Sequence, residues 1–245
     1  MGRKINYIRS DLNGVLPVYK PKGMGSRDVI RHLEKKLGRV KMGHVGTLDP
    51  AADGILPVVF GQATRAQDAL LALPKEYCFT IQLGQHTDTL DADGAVVEEQ
   101  VFAHVVEAAV AEAVPKFVGS QQQIPPIFSA VKYKGKPLYA YAREGRAHEV
   151  PLDELSREIT VHELCLESCD LSLGHISLRA TCSKGTYIRV LAVQIAEALG
   201  TCGHVIELTR SQASGFELKD ALSLDEIDEK IEVVASLLYP YEMKS

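Results

Sequence analysis

No stretch of this 245-residue chain holds the roughly 20 consecutive apolar residues that a membrane-spanning helix requires. Its opening, MGRKINYIRSD, is basic but lacks the apolar stretch and small-residue cleavage site of a secretory signal. A cytoplasmic location without membrane attachment is the resulting expectation. Cysteine is sparse and odd in number: Cys78, Cys165, Cys169, Cys182 and Cys202 make five scattered thiols, which argues against a disulfide framework. Cys165 and Cys169 stand four residues apart with His162 and His175 nearby, so a metal site competes with buried free thiols. The segment reads as a strand, whereas zinc pairs usually straddle a tight turn, and no metal is expected. A phosphate-binding P-loop, a dinucleotide fingerprint and a metalloprotease helix are all missing, as are internal repeats and low-complexity tracts.

What is present is ordinary in bulk and uneven in detail. The chain is 46% hydrophobic and 24% charged, enough apolar material for a sizeable core. Its formal net charge of −5 conceals segregation. Residues 1–41 carry eleven Lys and Arg against Asp11, Asp28 and Glu34, while residues 85–115 carry seven Asp and Glu and no Lys or Arg. A basic face on a net-acidic protein permits RNA binding, because phosphate contacts depend on the local field. It does not demonstrate it.

Along the chain, GVLPVYK at 14–20 reads as a strand and Ser26 as an N-cap. The following helix carries Val29, Ile30, Leu33 and Leu37 and closes at Gly38. Residues 42–54 read as a loop, 55–60 as a strand and 63–73 as a helix. Tyr77, Phe79, Ile81 and Leu83 alternate with polar neighbours as in a half-buried strand. Residues 91–94 read as a turn and 101–117 as a helix. Residues 121–151 form the least regular stretch, broken by Pro125, Pro126, Gly135, Pro137 and Gly145. Two more strands, a helix from Thr186 to Leu199 and a strand at 205–208 follow. Strands and helices do not alternate strictly, which predicts an α+β protein with a mixed sheet. No linker is long enough to separate independent domains.

Two loops could carry chemistry. In GHVGTLDPAADG (43–54), Pro50 biases Asp49 towards an extended conformation, leaving its carboxylate free to act as nucleophile or base. Asx-turn duty is the alternative reading. In CSKGTYIR (182–189), a strand turns at Lys184-Gly185 into a helix whose first N–H groups could hold a phosphate. Arg189, alone on a largely apolar helix, calls for a carboxylate or phosphate partner, unless it forms a surface salt bridge. Both alternatives stay open from spacing alone.

The same segments resemble the TruB family of tRNA pseudouridine synthases. GHVGTLDPAADGILPV (43–58), KEYCFTIQLGQHTDTLDADG (75–94), QIPPIFSAVKYKGKPLYAYAREG (123–145), CSKGTYIRVLAVQIAEALG (182–200) and HVIELTRSQASGF (204–216) follow in family order, joined by GVLPVYKPKGMGS (14–26). The resemblance implies a pseudouridine synthase fold: α+β, with a mixed, largely antiparallel sheet, flanking helices and an RNA-gripping insertion at 121–151. It implies isomerisation of a uridine in the tRNA T arm, position 55, to pseudouridine, with no cofactor and after base flipping. It assigns Asp49 as the catalytic carboxylate, Arg189 as its ionic partner and Tyr77 as the ring that stacks on the flipped base. His44 would fill the vacated space, Tyr187 and Leu208 would line the uridine pocket, and Lys20 would support the loop of Asp49. Lys132, Lys134 and Lys136, with the tyrosines around them, would clamp RNA by phosphate contact and stacking.

Two departures from the family pattern stand out: Tyr19-Lys20-Pro21 in place of Asp-Lys-Pro, and Arg65 in place of Lys. Bacterial relatives continue into a small RNA-binding PUA domain, and the expectation here is a single catalytic domain without one. The guide-RNA-dependent relatives rely on that domain, so a stand-alone, monomeric enzyme acting on the T stem-loop without guide RNA is expected. A non-catalytic RNA-binding factor on the same fold is the rival class. It predicts substitution of Asp49, Tyr77 or Arg189, all of which are intact. An RNA substrate other than tRNA is a third reading.

Overall fold

The computed structural model describes residues 11–240; residues 1–10, which carry part of the basic N-terminal segment, and residues 241–245 lie outside the description. In chain order the elements are β1 (Gly14–Lys20), α1 (Ser26–Leu37), β2 (Met42–His44), β3 (Asp53–Phe60), α2 (Gln67–Ala72), β4 (Lys75–Leu83), β5 (Gln85–Thr87), β6 (Val96–Glu99), α3 (Glu107–Ala113) and β7 (Gly119–Gln123). Then come β8 (Lys132–Tyr133), β9 (Lys136–Pro137), α4 (Leu138–Arg143), β10 (Arg157–Asp170), β11 (His175–Cys182), α5 (Ile188–Ala198), β12 (Gly203–Ala213), β13 (Phe216–Glu217) and α6 (Leu224–Glu229). The chain divides into two compact units, one of residues 1–76 with 209–245 and one of Tyr77–Leu208.

In the first unit β3 is the organising strand. It pairs antiparallel with β1 from Gly14↔Phe60 to Lys20↔Gly54 and antiparallel with β2 from Met42↔Phe60 to His44↔Val58. Its start also runs parallel to the end of β12, through Thr209↔Asp53 and Arg210↔Gly54. Gly54 is required by that last contact: its φ is +106° and an added Cβ would collide with the Arg210 backbone. Helix α1 buries Val29, Leu33 and Leu37 at helical spacing against Leu16, Val18, Leu56 and Val58, with Ile227 and Val234 completing the cluster.

In the second unit the strand order is β4-β11-β10-β7. Strands β10 and β11 are antiparallel with two register shifts, and β10 pairs antiparallel with β7 from Arg157↔Gln123 to Val161↔Gly119. The alternation along β4 is as expected, with Tyr77, Phe79, Ile81 and Leu83 buried on one face. Helix α5 buries Ile188, Leu191, Ala192 and Ile195. Antiparallel pairing dominates, the β3–β12 contact is parallel, and helices flank the strands: the fold is α+β with a mixed sheet.

Several local expectations change. The loop at 42–54 is shorter, since β2 and β3 take both its ends. The helix expected at 63–73 opens as a 3-10 turn before α2. The helix expected at 101–117 is confined to α3 and a 3-10 turn at Val114–Phe117. Val101 and Val106 are exposed, 75% and 55%, while the Phe102 ring fills space left open by Gly84 and Gly174. That aromatic contact competes with helix formation before Glu107. Within 121–151, β8 and β9 form a hairpin, and Leu138, Tyr141 and Val150 make a small core of their own with Ile127, Val131 and Leu155 around it.

Candidate active site

The loop between β2 and β3 presents Asp49 at its tip, and the turn from β1 into α1 holds that loop at three points. Ser26 Oγ donates to Leu48 O and accepts from Leu48 N, both at 2.8 Å. Gly23 N donates to Pro50 O at 2.7 Å. The buried Lys20 ammonium donates to Ala52 O, and also to Pro21 O at 2.9 Å and Met24 O at 2.7 Å. The residues on either side of Asp49 are thus fixed, and Ala52 N closes the turn on Asp49 O at 3.2 Å. Ser26, expected as an N-cap, is instead the first residue of α1; Gly25 takes the cap position and Asp28 accepts from Gly25 N. Its hydroxyl is taken by the loop because Leu48 is buried and needs partners for both backbone groups.

A second prop comes from Arg210, which is fully buried. It donates through Nε to Ile55 O at 2.8 Å and through Nη2 to Gly46 O at 3.1 Å. Gly46 has φ +73° and leaves just enough room for this guanidinium. His44 is half-buried; its carbonyl accepts from Gln67 Nε2 at 2.7 Å, and its Nδ1 is buried without a hydrogen bond. Burial lowers its pKa, helped by the positive charges of Arg210 and Arg27, so the neutral imidazole is favoured. Burial also pushes the Lys20 ammonium down to about 8, against the pull of Asp53 and Asp49.

In the second unit, Arg189 is 3% exposed. Its guanidinium donates to Thr89 O and Phe128 O, and its Nε lies 3.5 Å from Asp91 Oδ2. The carboxylate that this helix residue finds within its own unit is therefore Asp91, which the sequence did not single out. Burial raises the Asp91 pKa, while Thr89, which donates to Asp91 Oδ1 at 2.6 Å, and the Arg189 charge pull it down. Tyr187 sits at the N-cap of α5 and is held by a side chain from β7: Gln123 accepts from Tyr187 N at 2.8 Å and donates to Tyr187 O at 3.1 Å. The Arg157 guanidinium lies over the Tyr187 ring, 4.7 Å from its centroid. Tyr77 is buried on β4 and Leu208 half-buried on β12. Lys184 is exposed in the turn before α5.

Lys132 and Lys134 lie on the β8–β9 hairpin, where Lys134 and Gly135 both have positive φ, 48° and 81°. That is the backbone of a tight two-residue turn, and it displays Lys134 to solvent over the Tyr133 ring. The expectation that this whole cluster faces RNA is corrected in part. Lys136 pairs with Glu144, and Tyr141 is buried in the local core with its hydroxyl on Tyr133 O. Lys136 would have to leave Glu144 to meet a phosphate, and the Tyr141 ring is enclosed.

A sequence model of the TruB family pseudouridylate synthase N-terminal domain matches residues 34–188. The chain belongs to the TruB family. It is 43% identical to tRNA pseudouridine synthase B of Francisella tularensis subsp. tularensis (strain WY96-3418) over 220 residues, 89% of this chain and 71% of that protein. It is 42% identical to the protein of the same name from Cupriavidus metallidurans, covering 90% of this chain and 68% of the relative. Among solved structures, one from a Cbf5-Nop10-Gar1 complex superposes with TM-score 0.71 at 26% identity, covering 94% of this chain. The chain spans 61% of that protein's length.

Seen as a TruB chain, the site contains groups that motif reading missed. In the first unit Ser26 and Arg210 hold the loop that carries Asp49; in the second Gln123 holds Tyr187 and Asp91 faces Arg189. Arg210 carried little signal, because β12 also holds His204, Glu207, Thr209, Ser211 and Gln212. The amide of Gln123 carried no signal, because its partners are backbone atoms 64 residues away.

Proposed function

We propose that this chain converts uridine 55 in the T arm of tRNA to pseudouridine, as a stand-alone monomeric enzyme in the cytoplasm without cofactor or guide RNA. The observation that carries the reading is the Asp49 loop, pinned at Leu48, Pro50 and Ala52. A carboxylate pre-set in this way spends little free energy on orientation when the substrate arrives. Members of the family are pseudouridylate synthases, and the uridine-to-pseudouridine isomerisation in tRNA follows from that membership. Among the described residues no helix is long and apolar enough to cross a membrane.

In this reading the target base leaves its stack and enters the protein. Tyr77 stacks on it and later assists removal of the C5 proton, Tyr187 and Leu208 line its pocket, and His44 occupies the space it leaves. Asp49 attacks as a nucleophile or takes a ribose proton, and Arg189 keeps it ionised and oriented. Lys132 and Lys134 contribute phosphate contacts. Tritium release from a tRNA transcript labelled at uridine C5 tests the reaction. Asp49→Asn keeps the shape but not the nucleophile, so single-turnover release is expected to vanish while filter binding of tRNA stays within about twofold, under roughly 0.5 kcal/mol. Activity above a few per cent of wild type would sink the assignment.

A further inference from the structure

Tyr19 and Asp53 are not accounted for by the roles above, yet they sit beside Lys20 in the ladder of β1 and β3. The register pairs Lys20 with Gly54, which places Asp53 one residue beyond that pair. Tyr19 OH donates to Asp53 Oδ2 at 3.0 Å, and Asp53 Oδ1 is buried with no hydrogen bond at all. A buried carboxylate satisfied on one oxygen is costly unless a nearby cation offsets its charge. Lys20 is that cation. It is fully buried, and its three N–H groups are taken by the carbonyls of Pro21, Met24 and Ala52, so it meets the carboxylate through space and not by direct contact.

We infer that Asp53, oriented by Tyr19, is the positioning carboxylate that keeps Lys20 fastened to the Asp49 loop. The charges around Lys20 support this division of labour: Asp53 from β3 and Asp49 from the loop favour its protonated form, and Arg210 from β12 opposes it. On the proposed reaction, which this inference rests on, Asp49 becomes neutral for part of each turnover. It does so as an ester to the carbon it attacks, or as an acid after accepting a ribose proton. Asp53 takes no part in that chemistry, so Lys20 keeps a neighbouring carboxylate and its grip on Ala52 O while Asp49 reacts. Tyr19, where the family pattern has an acid, leaves the single acid of this pair on β3.

The test uses the whole protein and reads Lys20 directly. The side-chain resonances of Lys20 are titrated by NMR without RNA, and single-turnover tritium release is followed from pH 6 to 9.5. Asp53→Asn is expected to lower the Lys20 pKa by about one unit, a tenfold change in protonation above it. Release should then fall roughly tenfold at pH 8.5 and less than twofold at pH 6.5, with tRNA affinity unchanged. Tyr19→Phe keeps the ring and should shift the titration in the same direction by less. The double change Tyr19→Asp with Asp53→Asn moves the acid to β1 and should restore both the titration and the alkaline limb. A packing defect would not be rescued in that way. An unshifted Lys20 titration in either folded single variant overturns the inference. Absence of tritium release from the wild type would refute the proposed reaction instead, and the NMR titration would still decide the role of Asp53.

Discussion

Ser26 makes two hydrogen bonds with one hydroxyl, one to each backbone group of Leu48. Ser26→Ala therefore leaves a buried N–H and a buried C=O unmatched next to Asp49, at a cost of about 1–3 kcal/mol. The expected outcome is a lower unfolding midpoint and roughly tenfold slower single-turnover release, since small misplacement of a reacting group is costly. Binding of tRNA, measured separately, should not change. A rate equal to wild type would mean that Gly23 and Lys20 hold the loop unaided. The loop of Asp49 was legible as a constrained one from its glycines and Pro50, but spacing alone left Asx-turn duty open beside a chemical role. Ser26 was misread for a physical reason: Ser before an apolar periodic run is the ordinary N-cap signal, and nothing local says that the hydroxyl serves residue 48 instead. Arg189 was read as a cation calling for a carboxylate or phosphate, with a surface salt bridge left open; it is buried, and Asp91 lies 98 positions earlier in the chain, beyond the reach of any spacing rule.

At the level of elements, alternation identified β4 and helical spacing identified α1 and α5, whereas β1 and β3, buried on both faces, were read as short strands without alternation. The pattern failed at 101–106, where Phe102 packs against two glycines and Val101 and Val106 face outwards. The stretch 121–151, read as irregular, owes its order to Leu138, Tyr141 and Val150, too few residues to register as periodicity. That small core also sorts the basic residues of the hairpin. Lys136 is neutralised by Glu144, and Arg146 by Glu144 and Glu149, whereas Lys132 and Lys134 project from β8 and the turn. Replacing Lys132 and Lys134 together by Ala should weaken tRNA binding. The plot of log affinity against log salt should flatten by about 1–2 units, one unit or slightly less per lost phosphate contact. Release at saturating tRNA should stay near wild type. An unchanged salt slope would place the RNA path elsewhere, and Lys136→Ala serves as a paired-residue comparison expected to change the slope little.

For the molecule as a whole, alkaline stability sets two kinds of buried group against each other. Burial pushes the Cys182 thiol up to about 12 and raises Cys202 and Cys169, while the neighbouring Glu163 raises Cys165. In the unfolded chain such thiols ionise near their ordinary value of 9.0. Above that pH the unfolded chain binds fewer protons than the folded one, so stability falls as pH rises. Lys20 acts in the opposite sense. Its folded value of about 8 lies below the unfolded 10.5, so between them the unfolded chain binds more protons and stability rises with pH. Each group contributes up to one proton, or about 1.4 kcal/mol per pH unit, to the slope. Under reducing conditions, urea unfolding from pH 7.5 to 10.5 should show stability declining above about pH 9, where the thiols outnumber the lysine. Cys182→Ala should flatten that decline and Lys20→Met should steepen it, whatever either does to the absolute midpoint. Lys20 and Cys182 belong to different compact units, which makes the pair diagnostic. If the chain unfolds in one cooperative step, both substitutions change the slope of the same transition. If the units unfold separately, each changes only its own, and two transitions with opposite pH trends are seen. A single transition whose slope ignores both substitutions would mean that neither group differs in protonation between the folded and unfolded chain.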